Sequence, residues 1–441
     1  MILSHQGIAD LSRVSILLIV GILSSSAFSQ PKERPRLKDF GSSLKRIKWD
    51  PAKRAAVETK AKPNANTDSD DVDVVKIETS LVVTDLLVLD SRGNPVAGLT
   101  EKDFLISEDE KPQQIGLLSL GDNKNSPRSI VLIIDYSGSQ YPFLKTSIAA
   151  AKVLVDKLGP LDQMAIVTDD VELIQNFTSN KKTLKEELGF LLARTNPVSV
   201  LPRRRFGKSK QYSALMAVLK EAVHSEDERL IVIFQTDGDQ FVFLRDPIFV
   251  PTTLYHENGA AFGPDAGDIE KRIVAQRTEF SLKDVIRAAE KSQATIYTIV
   301  PGFEVLGRSP EDQTKAINAY LNQILANVSD DSRTNMRREF EKEITPEMLR
   351  YFADGFSKQQ FALTAVSTAS GGWTAYLERP EQADGIYSNI FSDINRRYIV
   401  GYYSTNKAHD GKRRVISFQV REHPEYKIIS RRSYYAAGID Q

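Results

Sequence analysis

The sequence predicts an α/β fold: a doubly wound, mostly parallel sheet with helices on both faces, inserted between the strands of a small antiparallel β-sandwich. Three observations predict it. Apolar runs at 129–135, 163–168, 229–236, 294–300 and 372–377 are nearly continuous, as in strands buried on both faces. Helical patterns separate those runs, which is the signature of parallel strands joined by crossover helices. On either side of this stretch the pattern changes to alternation broken by turn residues, which is antiparallel chemistry.

Taken in order, the first 29 residues have the parts of a secretory signal. Arg13 gives a positive start, Val14 to Leu23 a short apolar run, and "AFS" the small residues that precede a cleavage site before Gln30. The run is shorter than the roughly 20 residues a bilayer span needs, which favours cleavage and leaves an uncleaved anchor as the alternative. Secreted, periplasmic or cell-envelope localisation follows. The chain has no cysteine, so no disulfide framework supports it after export.

Residues 30–73 show no periodicity and read as a disordered linker. Between 31 and 62 eleven Lys/Arg stand against four Asp/Glu, before "DSDDVD" swings acidic. The basic stretch is either a solvated tether or a weak contact for an anionic envelope surface. "DSDDVD" lacks the turn glycine and distal Glu of a calcium loop. Over the whole chain Lys plus Arg and Asp plus Glu both number 58, so no charge excess marks a nucleic-acid binder.

Residues 74–122 read as the N-terminal part of the sandwich, with "SRGNP" and "EDEKP" as turns. Residues 398–437 supply its C-terminal part, with "HDGK" as a hairpin signal. The α/β domain fills 127–397. Leu144, Ile148, Ala151, Val155 and Leu158 share one helical face, and further helices fit near 181–193, 211–224, 281–292, 359–370 and 384–396. Two insertions exceed the minimal alternation, at 241–280 and 303–357. The second carries an apolar stripe of Ile317, Tyr320, Leu321, Ile324, Leu325 and Val328 after a "SPED" helix start. Each insertion leaves the carboxyl end of a strand, so both should stand around whatever binds there.

"IVLIIDYSGSQ" raises the functional question, because a buried strand has no structural use for Asp135, Ser137 and Ser139 at its tip. In open α/β sheets ligands collect beyond the carboxyl ends of the strands, at the switch point of strand order. A second apolar strand, "LIVIFQTDGDQ", ends in Asp237, with Gly238 to let the backbone turn. "GKSKQYSAL" places Ser209 on a loop before a helix, with Ser213 as its rival. Two carboxylates and three hydroxyls are hard oxygen donors, suited to Mg²⁺, Mn²⁺ or Ca²⁺.

"DYSGS" resembles the D-x-S-x-S signature of the von Willebrand factor A domain. Ser209 falls where that family has its Thr, and Asp237 in "TDG" where it has its second Asp. "NPVAGLTEKDFLISEDEKPQQI" and "RYIVGYY…SRRSYYA" look like the bacterial von Willebrand factor A-related proteins of the Acidobacteria type. The likeness spans roughly residues 75–437 without the insertions. It implies a metal-ion-dependent adhesion site formed by Asp135, Ser137, Ser139, Ser209 and Asp237. It also implies a protein ligand whose acidic side chain completes the metal shell. Serine at 209 keeps the hydroxyl but loses the methyl that restrains a Thr rotamer.

The leading expectation is therefore an exported, non-catalytic, metal-dependent binding module. The alternatives are a metal-assisted hydrolase, or a structural envelope protein whose metal site is vestigial. His5, His224, His256, His409 and His423 show no metal-ligand spacing, and G-x-S-x-G and H-E-x-x-H are absent.

Overall fold

The structure, a computed structural model, describes residues 47–50, 55–58, 81–119, 128–195, 209–221, 229–246, 277–326 and 345–436. The expected export segment at 1–29 lies outside them. Within the span read as a linker, β1 (Ile47–Asp50) pairs antiparallel with β2 (Ala55–Glu58), after an Asp50-Pro51 step that favours turn initiation.

The alternating N-terminal segment forms β3 (Leu81–Leu89), β4 (Phe104–Glu108), β5 (Lys111–Gln113) and β6 (Ile115–Ser119). The α/β stretch follows. Its first half runs β7 (Arg128–Ile134), α1 (Leu144–Lys157), β8 (Gln163–Thr168), β9 (Glu172–Thr178), α2 (Lys181–Thr195), α3 (Gln211–Glu221) and β10 (Arg229–Gln235). Its second half runs α4 (Leu282–Lys291), β11 (Thr295–Pro301), α5 (Pro310–Ala326), α6 (Pro346–Ala369), β12 (Thr374–Leu377) and α7 (Gln382–Asn395). The chain closes with β13 (Tyr398–Tyr403), β14 (Arg413–Val420), β15 (Lys427–Ser430) and β16 (Ser433–Tyr435).

The central sheet has the order β12-β11-β10-β7-β8-β9. Every neighbouring pair is parallel except β8 with β9. From β7 the chain winds outward through β8 to β9, then returns to the other side of β7 as β10. The strand order therefore reverses between β7 and β10, the switch point at which such sheets bind ligands. β9 is the strand that apolar runs did not predict. It lies on the sheet edge and is only partly buried, so "ELIQNFT" has no continuous apolar run.

Alternate residues of β7 feed two cores. Ile130, Leu132 and Ile134 pack with α1, α2 and α7, whereas Val131 and Ile133 pack with α3, α4 and α6. Burying each such side chain contributes roughly 1.5–3 kcal/mol, so both helical layers are held by the same strands. α6 runs unbroken through Gly355 although the sequence places its start near 359. Leu349 and Ala353 of that extra length pack on Ile317 and Leu321 of α5, which compensates the weak helix propensity of Gly355.

The flanking segments join as expected. One four-stranded sheet is β15-β3-β13-β6 and the other β16-β14-β4-β5, so each draws strands from both ends of the chain. Val82, Leu86, Val88, Phe104, Ile106, Tyr398, Val400 and Ile416 make the core between them. At the junction with the α/β domain Gly371 (φ +82°) permits a close approach, since a Cβ there would lie 2.8 Å from the Arg431 amide nitrogen.

Candidate metal centre

Backbone pairing carries the two central strands to their tips. The Asp135 amide donates to the Gln235 carbonyl at 3.0 Å, which sets the ends of β7 and β10 side by side. Asp135 leaves β7, and Asp237 and Asp239 leave β10 around Gly238. That glycine has φ +74°, a conformation that favours glycine, and Leu363 of α6 lies 3.0 Å from where a Cβ would stand, so a side chain there would also crowd α6. One carboxylate oxygen from each of Asp135, Asp237 and Asp239 lies within 4.8 Å of the others.

The serines converge on the same point. The Ser137 amide donates to Asp135 Oδ1 at 2.9 Å, and the Ser137 and Ser139 hydroxyls are 3.0 Å apart. Ser139 Oγ donates to Asp239 Oδ2 at 3.3 Å. Ser209 sits just before α3 in the left-handed region, φ 53°, and its side chain lies close enough to Asp239 to favour that group's charged form. Ser213 instead pairs with Gln240, giving its amide to Oε1 at 3.0 Å and accepting from Nε2 at 2.8 Å. Of the two rivals, Ser209 is thus the one beside the aspartates.

All five residues singled out from sequence lie together, and the structure adds others. Asp239 was overlooked although "TDGD" carries its signal, a second carboxylate two residues after the first. Asp169, at the end of β8, is buried and accepts the Tyr136 amide at 3.2 Å and the Ser209 amide at 2.9 Å. It ties the β7 loop to the residue before α3, and "TDD" after an apolar strand was its signal. Gln140 Nε2 donates to Asp237 Oδ2 at 2.7 Å, and Gln211 Nε2 to Asp135 Oδ2 at 2.8 Å. Nothing in the local sequence marks either glutamine.

The electrostatics are those of carboxylates short of a counter-ion. Burial, then the charge of Asp237, pushes Asp135 up to about 7. Burial, then Asp239, raises Asp237 to about 7. Asp239 rises to about 6 through burial and Asp135. Burial, then Asp135 and Asp170, holds Asp169 well above the usual carboxylate range. No ion pair involves any of these four among the described residues; the hydrogen bonds seen come from amides and hydroxyls.

The donor set fits a hard divalent cation: carboxylate and hydroxyl oxygens, with no imidazole or thiolate. Asp135, Asp237, Asp239, Ser137, Ser139 and Ser209 are the residues that would hold it. Two further polar atoms nearby are buried without a hydrogen-bond partner, Gln140 Oε1 and the Tyr212 hydroxyl.

The second insertion reaches this centre. Tyr320 of α5 stacks on Phe143, with centroids 5.9 Å apart, and packs on Phe303 and Phe356. Burial, then the charges of Asp237 and Asp239, raises its phenol. Most of the first insertion, 247–276, lies outside the described residues.

No protein-family model matches the chain. No curated protein matches it either. Among solved structures it is similar to an aerotolerance-related membrane protein from Bacteroides fragilis, at 13% identity over 61% of this chain and 98% of the other, TM-score 0.31. BatB from Bacteroides thetaiotaomicron is 14% identical over 60% and 98%, TM-score 0.32. The von Willebrand factor domain of a type V pili tip protein from Porphyromonas gingivalis is 14% identical over 61% and 95%, TM-score 0.34. The strand order, with its antiparallel edge strand and the D-x-S-x-S loop at the switch point, agrees with what the sequence's resemblance to the von Willebrand factor A domain implies.

Proposed function

We propose that this protein is an exported, non-catalytic binding module that takes a protein ligand through a divalent cation, Mg²⁺ or Mn²⁺, at the Asp135–Asp237–Asp239 centre. One observation carries the reading: three carboxylates meet at the switch point with raised pKa values and, among the described residues, no ion pair to a cationic side chain. A bound dication supplies the missing positive charge and leaves a position for an acidic side chain of the ligand. The hydroxyls of Ser137, Ser139 and Ser209 are neutral, so they orient the centre without quenching its charge. The signal-like N-terminus supports export, and the aromatic group around Tyr320 supports a shaped rim beside the ion.

Titration calorimetry with Mn²⁺ tests this. Binding to the wild type and its loss in Asp135→Ala is the expected result. Equal heats from both proteins would sink the metal reading. Capture of a native envelope partner should then depend on Mn²⁺ or Mg²⁺ and be reversed by a chelator; capture indifferent to the chelator would move the binding surface elsewhere.

A further inference from the structure

Gln211 lies at the start of α3, fully buried, and its amide is used on every side. Nε2 donates to Asp135 Oδ2 at 2.8 Å and to Asp239 Oδ1 at 2.5 Å. Its carbonyl oxygen accepts the Gln240 backbone amide at 3.1 Å, which fixes which end of the side chain faces the carboxylates. The Gln240 side chain in turn is bound twice by Ser213, two residues further into α3.

The two carboxylates that Gln211 joins come from different strands, Asp135 after β7 and Asp239 after β10. Charged oxygens this close repel; Thr236 Oγ1 holds Asp135 Oδ2 at 2.8 Å and Ser139 Oγ holds Asp239, but among the described residues only Gln211 donates to both carboxylates. We propose that Gln211 is a positioning residue of the cation centre, its amide holding Asp135 and Asp239 across the switch point at the spacing a divalent ion requires. This rests on the metal-binding reading above. Gln211 acts through the two aspartates and contributes no ligand atom of its own. A leucine or methionine there would fill the same space and leave both carboxylates to find other partners.

Mn²⁺ alone is the probe, titrated into the folded full chain and followed by calorimetry. Removing a partner that orients a metal ligand weakens binding by about 10–100-fold, and that loss is expected for Gln211→Leu. Gln211→Met, unbranched and of the same length, carries the test if the leucine variant does not fold. Ser213→Ala, altered in the same network but without contact to a carboxylate, should bind Mn²⁺ like the wild type. The decisive readout is a double-mutant cycle with Asp239→Asn. Once one of the two carboxylates is neutral, Gln211→Met should cost less than it does alone, whereas a merely structural role predicts losses that multiply. Unchanged or tighter binding in both Gln211 variants, or multiplying losses, overturns the proposal alone. Absence of Mn²⁺ binding by the wild type overturns the metal reading and this proposal with it.

Discussion

The two ends of the central sheet hold buried charge on opposite terms. At the amino end Arg128, Asp162, Arg397, Asp393 and Glu290, all buried, have partners of opposite sign. Arg128 makes a bidentate pair with Asp162 at 2.6 and 2.7 Å. Arg397, fully buried, donates to both oxygens of Asp393 at 2.8 and 3.0 Å and to the Gly371 carbonyl. Glu290 accepts from Arg413 and Ser433, which locks α4 to the sandwich. At the carboxyl end Asp135, Asp169, Asp237 and Asp239 have, among the described residues, only amides and hydroxyls as partners. The first arrangement is complete as it stands and serves as the joint between the two parts of the molecule. The second lacks a counter-charge among the described residues, which the proposed cation would supply.

Breaking the joint should have the largest effect. Arg397→Met leaves Asp393 buried beside Tyr297 and Trp373 without a charge partner, a loss of about 3–5 kcal/mol. Urea denaturation should show it as a large fall in midpoint, with Mn²⁺ affinity of the remaining folded protein unchanged.

At the other end, adding the ion should stabilise. Mg²⁺ at a hundred times its Kd should raise unfolding free energy by about 2.7 kcal/mol at pH 8. The gain should shrink toward pH 5.5, where protons on carboxyls raised to about 6 and 7 compete with the ion. A melting-temperature increase with the same size at both pH values would contradict the assignment of these carboxyls.

The same shifts set the sign for the metal-free protein. A carboxyl whose folded pKa lies above its unfolded value favours folding below the unfolded pKa and loses that contribution as pH rises through the folded one. Metal-free stability should therefore fall between about pH 4 and pH 7 on account of this centre. Asp135→Asn should flatten that fall while abolishing metal binding. Losing a carboxylate at the amino end, as in Asp162→Asn, should destabilise instead.

Ser209→Ala is the finest test. Loss of one hydroxyl beside Asp239 should weaken Mn²⁺ binding by about 0.5–1.5 kcal/mol, whereas Ser213→Ala leaves it unchanged. Equal effects would remove the distinction between these two serines.

Legibility in the sequence follows the range of the forces involved. The four inner strands were readable because burial on both faces demands unbroken apolar runs, and the edge strand β12 because its short stretch stays largely apolar. β9, at the other edge, was not, because Gln175 and Asn176 interrupt its apolar residues. Asp135 and Asp237 were readable as charges ending apolar strands. Gln211 was not, since a glutamine in the first turn of a helix is ordinary until Asp135, 76 residues earlier, is seen against its amide.

By itself the sequence determined the layers: which residues must be inside, which strands run parallel, and which oxygens stand at strand ends. These depend on solvent exclusion and local backbone preference, both of which act within a few residues. Only the tertiary structure decided which carboxylates share one point, which donors hold them and which arginines neutralise the opposite end. Those contacts join residues up to 312 positions apart, as between Arg397 and Asp85. Coulomb forces and hydrogen bonds depend on distance in space and on burial, and folding alone sets both.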